Sequence, residues 1–473
     1  MSSEWPVVRL GDYCLKIGSG ATPRGGKNVY LELGDTALIR SQNIYNEGFK
    51  DEGVVYITQA AADKLSNVEV QEKDILINIT GDSVARTCLA PSEYLPARVN
   101  QHVAIIRPDP EEFDARFLRY FLVSPTQQEL LLTIASAGAT RNALTKGHLE
   151  SLEVCKPRLK EQKAIAWQLE KLDNKIQLNH QINQTLEQMA QAIFKSWFVD
   201  FEPVKAKIAA LEAGGSEDDA LLAAMQAIAG SALFATDAAD ADAPTQLARL
   251  QAEHPEQYAT LRATAELFPS AMQESELGKI PEGWEETGFS DWVAIKRGRS
   301  ITRAKVVPGD VPVVAGGLEP AYYHNEYNVI GPVITISASG ANAGYVNLYH
   351  QNIWSSDSSH ISKKSTPYFY TAYVCLKYYQ KAIFDMQTGA AQPHVYPKDF
   401  ERLRIVVGDD KLLKRLESLL SIYFEKSAAL KKEIISLAEL RDTLLPKLLS
   451  GELSVSAAAD QITQAEEAVN VQS

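Results

Sequence analysis

A mainly apolar stripe recurs along 165–197 at alternating spacings of four and three: Ile165, Leu169, Leu172, Ile176, Asn179, Asn183, Leu186, Ala190, Ile193 and Trp197. Such a stripe is the a/d seam of a helix that pairs with another helix. Adding 251 to each position gives Leu416, Leu420, Tyr423, Ser427, Leu430, Ile434, Leu437, Arg441, Leu444 and Leu448, a second seam in the same register. A helix over 33 such residues is about 50 Å long at ~1.5 Å per residue, which outreaches a compact domain. The spacing therefore predicts two long helices pairing antiparallel as a coiled coil with pseudo-twofold symmetry. The polar seam residues Asn179, Asn183, Ser427 and Arg441 are expected to fix register and partner.

The rest of the chain repeats as well. Trp5 to Asp12 answers to Trp284 to Asp291 at an offset of 279, and Gly34-Asp35 to Gly309-Asp310 at 275. Ile75 to Gly81 answers to Ile334 to Gly340 at 259. Asn100-Gln101-His102-Val103 answers to Ser358-Ser359-His360-Ile361 at 258, and Gly138 to Arg141 to Gly389 to Gln392 at 251. Five matches in one order, with a drifting offset that needs only small insertions, describe a tandem of two related units.

Each unit reads as α+β. Asp74–Ile79, Val99–Arg107, Val333–Ser337 and Asn352–His360 are short β-rich runs between Gly, Pro and Asn, whereas Phe113–Leu132 and Tyr368–Ala382 carry helical periodicity. The domain plan is a first unit over 1–155, a long helix over 156–204, an acidic Ala-rich connector over 205–280, a second unit over 281–408, a second long helix over 409–455 and a flexible tail over 456–473. The connector, with its Gly, Asp and Glu clusters, is expected to be helix-containing and mobile.

Charge and candidate chemistry narrow the function. The chain of 473 residues has a net charge of −13, but residues 211–280 alone hold 12 acidic against 3 basic residues, so acidity does not argue against nucleic acid. No run approaches the ~20 apolar residues that span a bilayer, the first ten residues lack an apolar signal core, and Cys14, Cys88, Cys155 and Cys375 form no C-x-x-C pair. A cytoplasmic protein is expected, without disulfides or a cysteine zinc site. Ala21–Asn28 imitates a phosphate-binding loop but has Ala21 for its first Gly and Asn28 for its Ser/Thr. The histidines form no H-E-x-x-H, and neither an amino-methyltransferase motif nor a glycine-rich S-adenosylmethionine loop is present. His102 and His360 read as repeat-equivalent structural histidines. No catalytic residue and no metal site is expected.

What remains is a set of loops rich in Gly with basic and amide side chains. In the first unit these carry Arg24, Lys27, Arg40, Gln42, Asn43, Arg86, Gln101, Arg141 and Asn142; in the second, Lys296, Arg297, Arg299, Arg303, Lys305, Asn342, Gln392 and His394. Arg, Lys, Asn and Gln are the donors that read base edges, and Lys and Arg neutralise phosphates. The dense cluster from Lys296 to Lys305 suits phosphates, and Gln392, standing where the first unit has Arg141, suits adenine.

In this order of elements the chain resembles the specificity subunit of a type I restriction-modification enzyme. The resemblance spans residues 5–450 and rests on L-G-D at Leu10, R-S-Q-N-I at Arg40, P-x-x-x-E-Q-K-A-I-A from Pro157, F-P-S-A…S-E-L-G-K-I-P-E-G-W from Phe268 to Trp284, and L-x-x-L-R-D-T-L-L-P-K-L-L-S-G-E-L from Leu437. It departs in having Ala315-Gly316-Gly317 where the first unit has Arg40-Ser41-Gln42. The resemblance implies two target-recognition domains that read a bipartite sequence in double-stranded DNA, one half-site each. It implies two modification (methyltransferase) subunits docked on the paired helices and restriction (motor-nuclease) subunits joined to that core, with no membrane partner. S-adenosylmethionine, ATP and Mg would belong to those partners, leaving no cofactor in this chain. Two other classes stay open on the residues: a coiled-coil adaptor without sequence readout, and a stand-alone nuclease.

Overall fold

The computed structural model describes residues 5–25, 29–137, 142–233, 243–388 and 393–472. They fall into two compact units, one formed by Met1–Leu178 with Glu433–Ser473, the other by Asn179–Lys432. Both long helices are unbroken, over Leu159–Phe198 and Asp410–Leu449, so each contributes one half to each unit.

In the first unit, a four-stranded antiparallel sheet has Ile75–Asn78 and Val103–Pro108 at its centre, flanked by Thr87–Leu89 and Cys14–Ser19. A five-stranded sheet includes Thr36–Ile39 paired parallel to Ala97–Val99. The fully buried runs Ile75-Leu76-Ile77 and Ala37-Leu38-Ile39 explain why these strands read as continuous apolar stretches rather than alternating ones. The stretch expected as one helix over 113–132 is two, Ala115–Val123 and Pro125–Ser136. Pro125 cannot donate to a preceding turn and instead starts a new helix.

The second unit repeats this plan. Its four-stranded sheet has the order Lys296–Arg297, Ser358–Ser362, Val333–Ser337, Val346–Tyr349, and Val311–Val314 pairs parallel to Trp354–Ser355. Val8 faces Val154 in the first unit and Thr287 faces Ile405 in the second, matching the offsets of 279 and 251. The bridges Thr80–Ala143 and Ser339–His394 match at 259 and 251.

One alignment needs correcting. The Ile79 N–H donates to the His102 carbonyl at 2.9 Å, and the equivalent Ala338 N–H donates to the Asp357 carbonyl at 3.2 Å. Val103 faces Asn78, whereas Ser358 faces Ser337. The structural counterpart of His102 is therefore Asp357, not His360. The Q-H-V and S-H-I strings look alike, but strand pairing displaces them by three residues.

Inside the first unit the helix halves run antiparallel: Asp173 meets Arg441 at 2.9 Å and Lys175 meets Glu433 at 3.6 Å. Ile165, Leu169 and Leu172 share one apolar cluster with Leu437, Leu444 and Leu448. Inside the second unit Ala190, Ile193 and Trp197 share a cluster with Leu416 and Leu420. Among the other expected seam residues, Leu430 is buried and Ile176, Leu186 and Ile434 are half-buried. Asn179 is wholly buried with neither amide atom hydrogen-bonded among the described residues, and Ser427 is buried too.

The described residues of the connector and of the tail, regions expected to be mobile, form regular elements. The segment 205–280 forms helices Glu202–Glu212, Glu217–Leu233, Ala243–Glu253 and Pro255–Glu266, then a hairpin of Met272–Ser275 with Gly278–Pro281. Ala220, Ala224, Met225, Leu247 and Phe268 are buried, all but Ala220 in one cluster with Trp197 and Trp284, because small residues let helices approach closely. The tail is likewise ordered: helix Val455–Gln472 buries Ala458 and Ile462 in the first unit's core. Their spacing of four puts them on one helical face. Among the described residues no helix is long and apolar enough to cross a membrane.

Candidate nucleic-acid interface

Both units present polar side chains at one end of the four-stranded sheet, and close backbone crossings define that corner. The Gly20 N–H donates to the Val103 carbonyl and the Gly298 N–H to the Ser358 carbonyl, each at 2.8 Å. A Cβ at Gly20 would collide with the carbonyls of Val99 and Asn100, and one at Gly298 with those of Ser355 and Ser356. Glycine is thus required where the edge strand passes under the crossing segment.

In the first unit, Thr80 Oγ1 lies 2.6 Å from His102 Nδ1, and Gln101 Nε2 lies 2.9 Å from His102 Nε2. Thr22 Oγ1 donates to Gln101 Oε1. The Gln101 side chain is exposed and its amide orientation is set by these two partners. Arg24 is exposed and lines a polar cavity of about 610 Å³ with Thr22, Lys64 and Asn67. Asn142 is exposed, and its carbonyl accepts from Gly81 N–H. Arg86 lies over the Tyr45 ring at 4.7 Å, with Lys50 also on that ring at 4.1 Å.

The R-S-Q-N run divides. Arg40 donates to the Gly53 carbonyl from a half-buried position, and Gln42 keeps its side chain at the surface of the same turn. Asn43 is fully buried and donates to the carbonyls of Lys50 and Glu52 while accepting from Arg40 N–H. All its polar atoms are used within the turn. Asn43 therefore leaves the set of candidate DNA contacts and becomes a structural residue. The sequence could not separate it from its neighbours, because amides serve turns and base edges with the same donors.

In the second unit Lys296, Arg297, Arg299, Arg303 and Lys305 form a surface cluster. Arg299 lies 5.9 Å from the Trp354 ring and Arg303 5.8 Å from that of Tyr322. Arg297 donates to Asp357 Oδ1 at 2.6 Å. His394 stacks on Tyr396 with ring centres 5.7 Å apart, and its Nδ1 has no hydrogen-bond partner among the described residues. Asn342 is half-buried, with its carbonyl bonded to Tyr345 N–H. Burial first and the Lys296 charge second hold the His360 imidazole below its ordinary pKa, so it stays neutral at pH 7. Lys27, Arg141 and Gln392 lie outside the described residues.

The phrases at the starts of the long helices have structural work. Gln162, from the E-Q-K-A-I-A phrase, is fully buried; it donates to the carbonyls of Glu112 and Pro157 and accepts from Asp114 N–H. Asp114 caps the helix Ala115–Val123, so Gln162 fastens the long helix to its domain. In the second unit Glu417 does this job by accepting from the Tyr370 and Thr371 N–H groups and the Thr371 hydroxyl.

The family model for the type I restriction modification DNA specificity domain matches residues 2–188 and 281–437, once for each repeat. The chain belongs to the type I restriction-modification specificity subunits. It is 31% identical to the type I restriction enzyme HindI specificity subunit of Haemophilus influenzae, over 95% of this chain and all of that protein. It is 24% identical to the MjaIX specificity subunit of Methanocaldococcus jannaschii, over 96% of this chain and 94% of that one. The crystal structure of the S subunit from M. genitalium shares the fold, with a TM-score of 0.53 at 17% identity, covering 94% of this chain and 96% of that chain. In this specificity subunit the break in the family match, between residues 188 and 281, takes in the helical segment between the two repeats.

Proposed function

We propose that the chain is the DNA-reading, non-catalytic subunit of a type I restriction-modification complex, each recognition domain reading one half of a bipartite site in double-stranded DNA. The observation that carries this reading is the duplicated polar corner. Thr80 with His102 and Ser339 with Asp357 occupy the same place in two equivalent domains yet differ in chemistry. Two readers of equivalent frame and different donors suit two different half-sites.

The paired helices are the surface on which two modification subunits dock, and restriction subunits join that core in the cytoplasm. S-adenosylmethionine, ATP and Mg are bound by those partners. Mapping methylated adenines in a host with and without the gene tests the proposal. A bipartite motif that disappears with the gene is expected; an unchanged set of modified sites overturns it, and metal-dependent cleavage by the isolated chain would favour a stand-alone nuclease.

A further inference from the structure

The second domain's polar corner contains an arginine whose surroundings are wrong for a phosphate. Arg297 ends the edge strand Lys296–Arg297, and its Nη2 donates to Asp357 Oδ1 at 2.6 Å. The other oxygen of that carboxylate accepts from the Ser339 hydroxyl. On a further side the guanidinium is 6.0 Å from the Tyr396 ring, which stacks on His394. Both members of the ion pair keep more than a third of their side-chain surface open, at 38% and 36%. The guanidinium is thus held in place but still presents donors to solvent.

Among the described residues, Arg297 is the one member of the five-residue basic cluster with a carboxylate within 4 Å. An arginine that serves only to neutralise DNA backbone gains nothing from such a neighbour, because the carboxylate repels the phosphate it is meant to meet. A base edge is different. Arginine reads guanine through N7 and O6, and a carboxylate accepts from the N4 amino group of cytosine, so a side-by-side Arg–Asp pair matches the major-groove face of a G·C pair. Holding the guanidinium beforehand also reduces the ordering cost of binding.

The repeat supplies an independent reason to place readout here. The counterpart of Asp357 is His102, and that of Ser339 is Thr80; the two-residue contact is kept while the residue type changes from imidazole to carboxylate. Arg297 is matched by Ser19, since Gly298 is matched by Gly20. The backbone frame is constant and the charged pair is particular to one domain, as expected of specificity rather than of folding.

We infer that Arg297 and Asp357 together read one G·C base pair in the half-site of the second domain, Arg297 contacting guanine and Asp357 both orienting Arg297 and accepting from cytosine. This rests on the proposed function and assigns a base pair within it.

The experiment is to co-express the full chain with its modification subunits and map methylated adenines genome-wide for the wild type, Arg297→Ala and Asp357→Asn. The wild type is expected to give a bipartite motif with a G·C pair in the second domain's half. Replacing the second domain identifies that half. Arg297→Ala should lower discrimination at that one position by about ten- to a hundredfold, the usual worth of a base-reading pair, and leave the other half intact. Asp357→Asn, which retains a hydrogen-bonding group towards Ser339, should relax the same position.

A motif unchanged in both variants overturns the inference, as does a loss spread evenly over all positions. If Arg297→Ala abolishes modification, Asp357→Asn decides: relaxation at one G·C position supports the pair, and an unaltered motif overturns it. Failure of the wild type to direct any site-specific methylation would instead sink the proposed function itself.

Discussion

Asp173 Oδ1 accepts from Arg441 Nη1 at 2.9 Å, joining residues 268 apart in sequence across the two long helices. The other Asp173 oxygen accepts from the Tyr120 hydroxyl at 2.7 Å and from Arg119 at 3.3 Å. One carboxylate therefore ties the first helix, the second helix and the recognition domain of the first unit. Asp173→Ala would leave the Arg119 side chain, which is only 10% exposed, without its carboxylate, take the hydroxyl acceptor from Tyr120, and leave Arg441 with Asp442 alone. A loss of about 2–4 kcal/mol is expected, read as a fall in the first unfolding transition by calorimetry. Loss of less than about 0.5 kcal/mol would show that water replaces the carboxylate.

The seam predicts graded effects. Leu437 is 2% exposed, and Leu437→Asp loses its burial and adds an unpaired charge, for a cost of at least about 3 kcal/mol and impaired assembly with modification subunits. Leu186 is only half-buried, so Leu186→Asp should cost less. Denaturant titration of both variants, with size-exclusion of the assembled complex, checks the order.

Asn179 should respond in the opposite direction. Its side chain is wholly buried and both amide atoms lack partners among the described residues, so Asn179→Leu is expected to stabilise the chain by about 1–2 kcal/mol. Any relaxation of helix register appears as an altered oligomeric state, since a seam asparagine specifies register and partner number. A lowered denaturation midpoint without such a change would contradict the assignment.

Positioning and reading contacts separate by salt and sequence. Arg299→Ala should weaken binding of the assembled complex to specific and unrelated DNA alike and reduce the salt slope by about one. Gln101→Ala should cost about 1–3 kcal/mol on the specific site alone. Equal losses on both DNAs would move Gln101 into the phosphate-contacting set.

Domain exchange tests independence. The first strand Val7–Arg9 pairs with Glu153–Cys155, so the domain's start and finish lie side by side at the root of its long helix. Replacing residues 1–155 while keeping 281–408 should change one half of the methylated motif and preserve the other. Alteration of both halves together would rule out independent reading.

The long helices were legible because a seam of ten positions repeated at one offset leaves few alternatives. The tandem order was legible for the same reason, down to Ile75 against Ile334, whose strands hold the same central place. The polar corner was not. Short strings such as Q-H-V and S-H-I align by appearance, whereas the ladder that equates His102 with Asp357 depends on partners far away in sequence. The role of Asn43 was hidden because its partners, Lys50 and Glu52, offer backbone carbonyls with no sequence signature. The docking of the tail was hidden because only Ala458 and Ile462, four residues apart, mark its buried face.

The closing helix Val455–Gln472 and the second half of Asp410–Leu449 complete the hydrophobic core of the first domain. Synthesis proceeds from the N-terminus, so residues 5–178 emerge from the ribosome long before the segment that covers Ile165, Leu169 and Leu172 exists. The first domain must wait, with part of its apolar surface bare, while the whole second domain is translated. At ~5–20 residues per second that interval is tens of seconds, which makes the nascent first domain a natural client for chaperones.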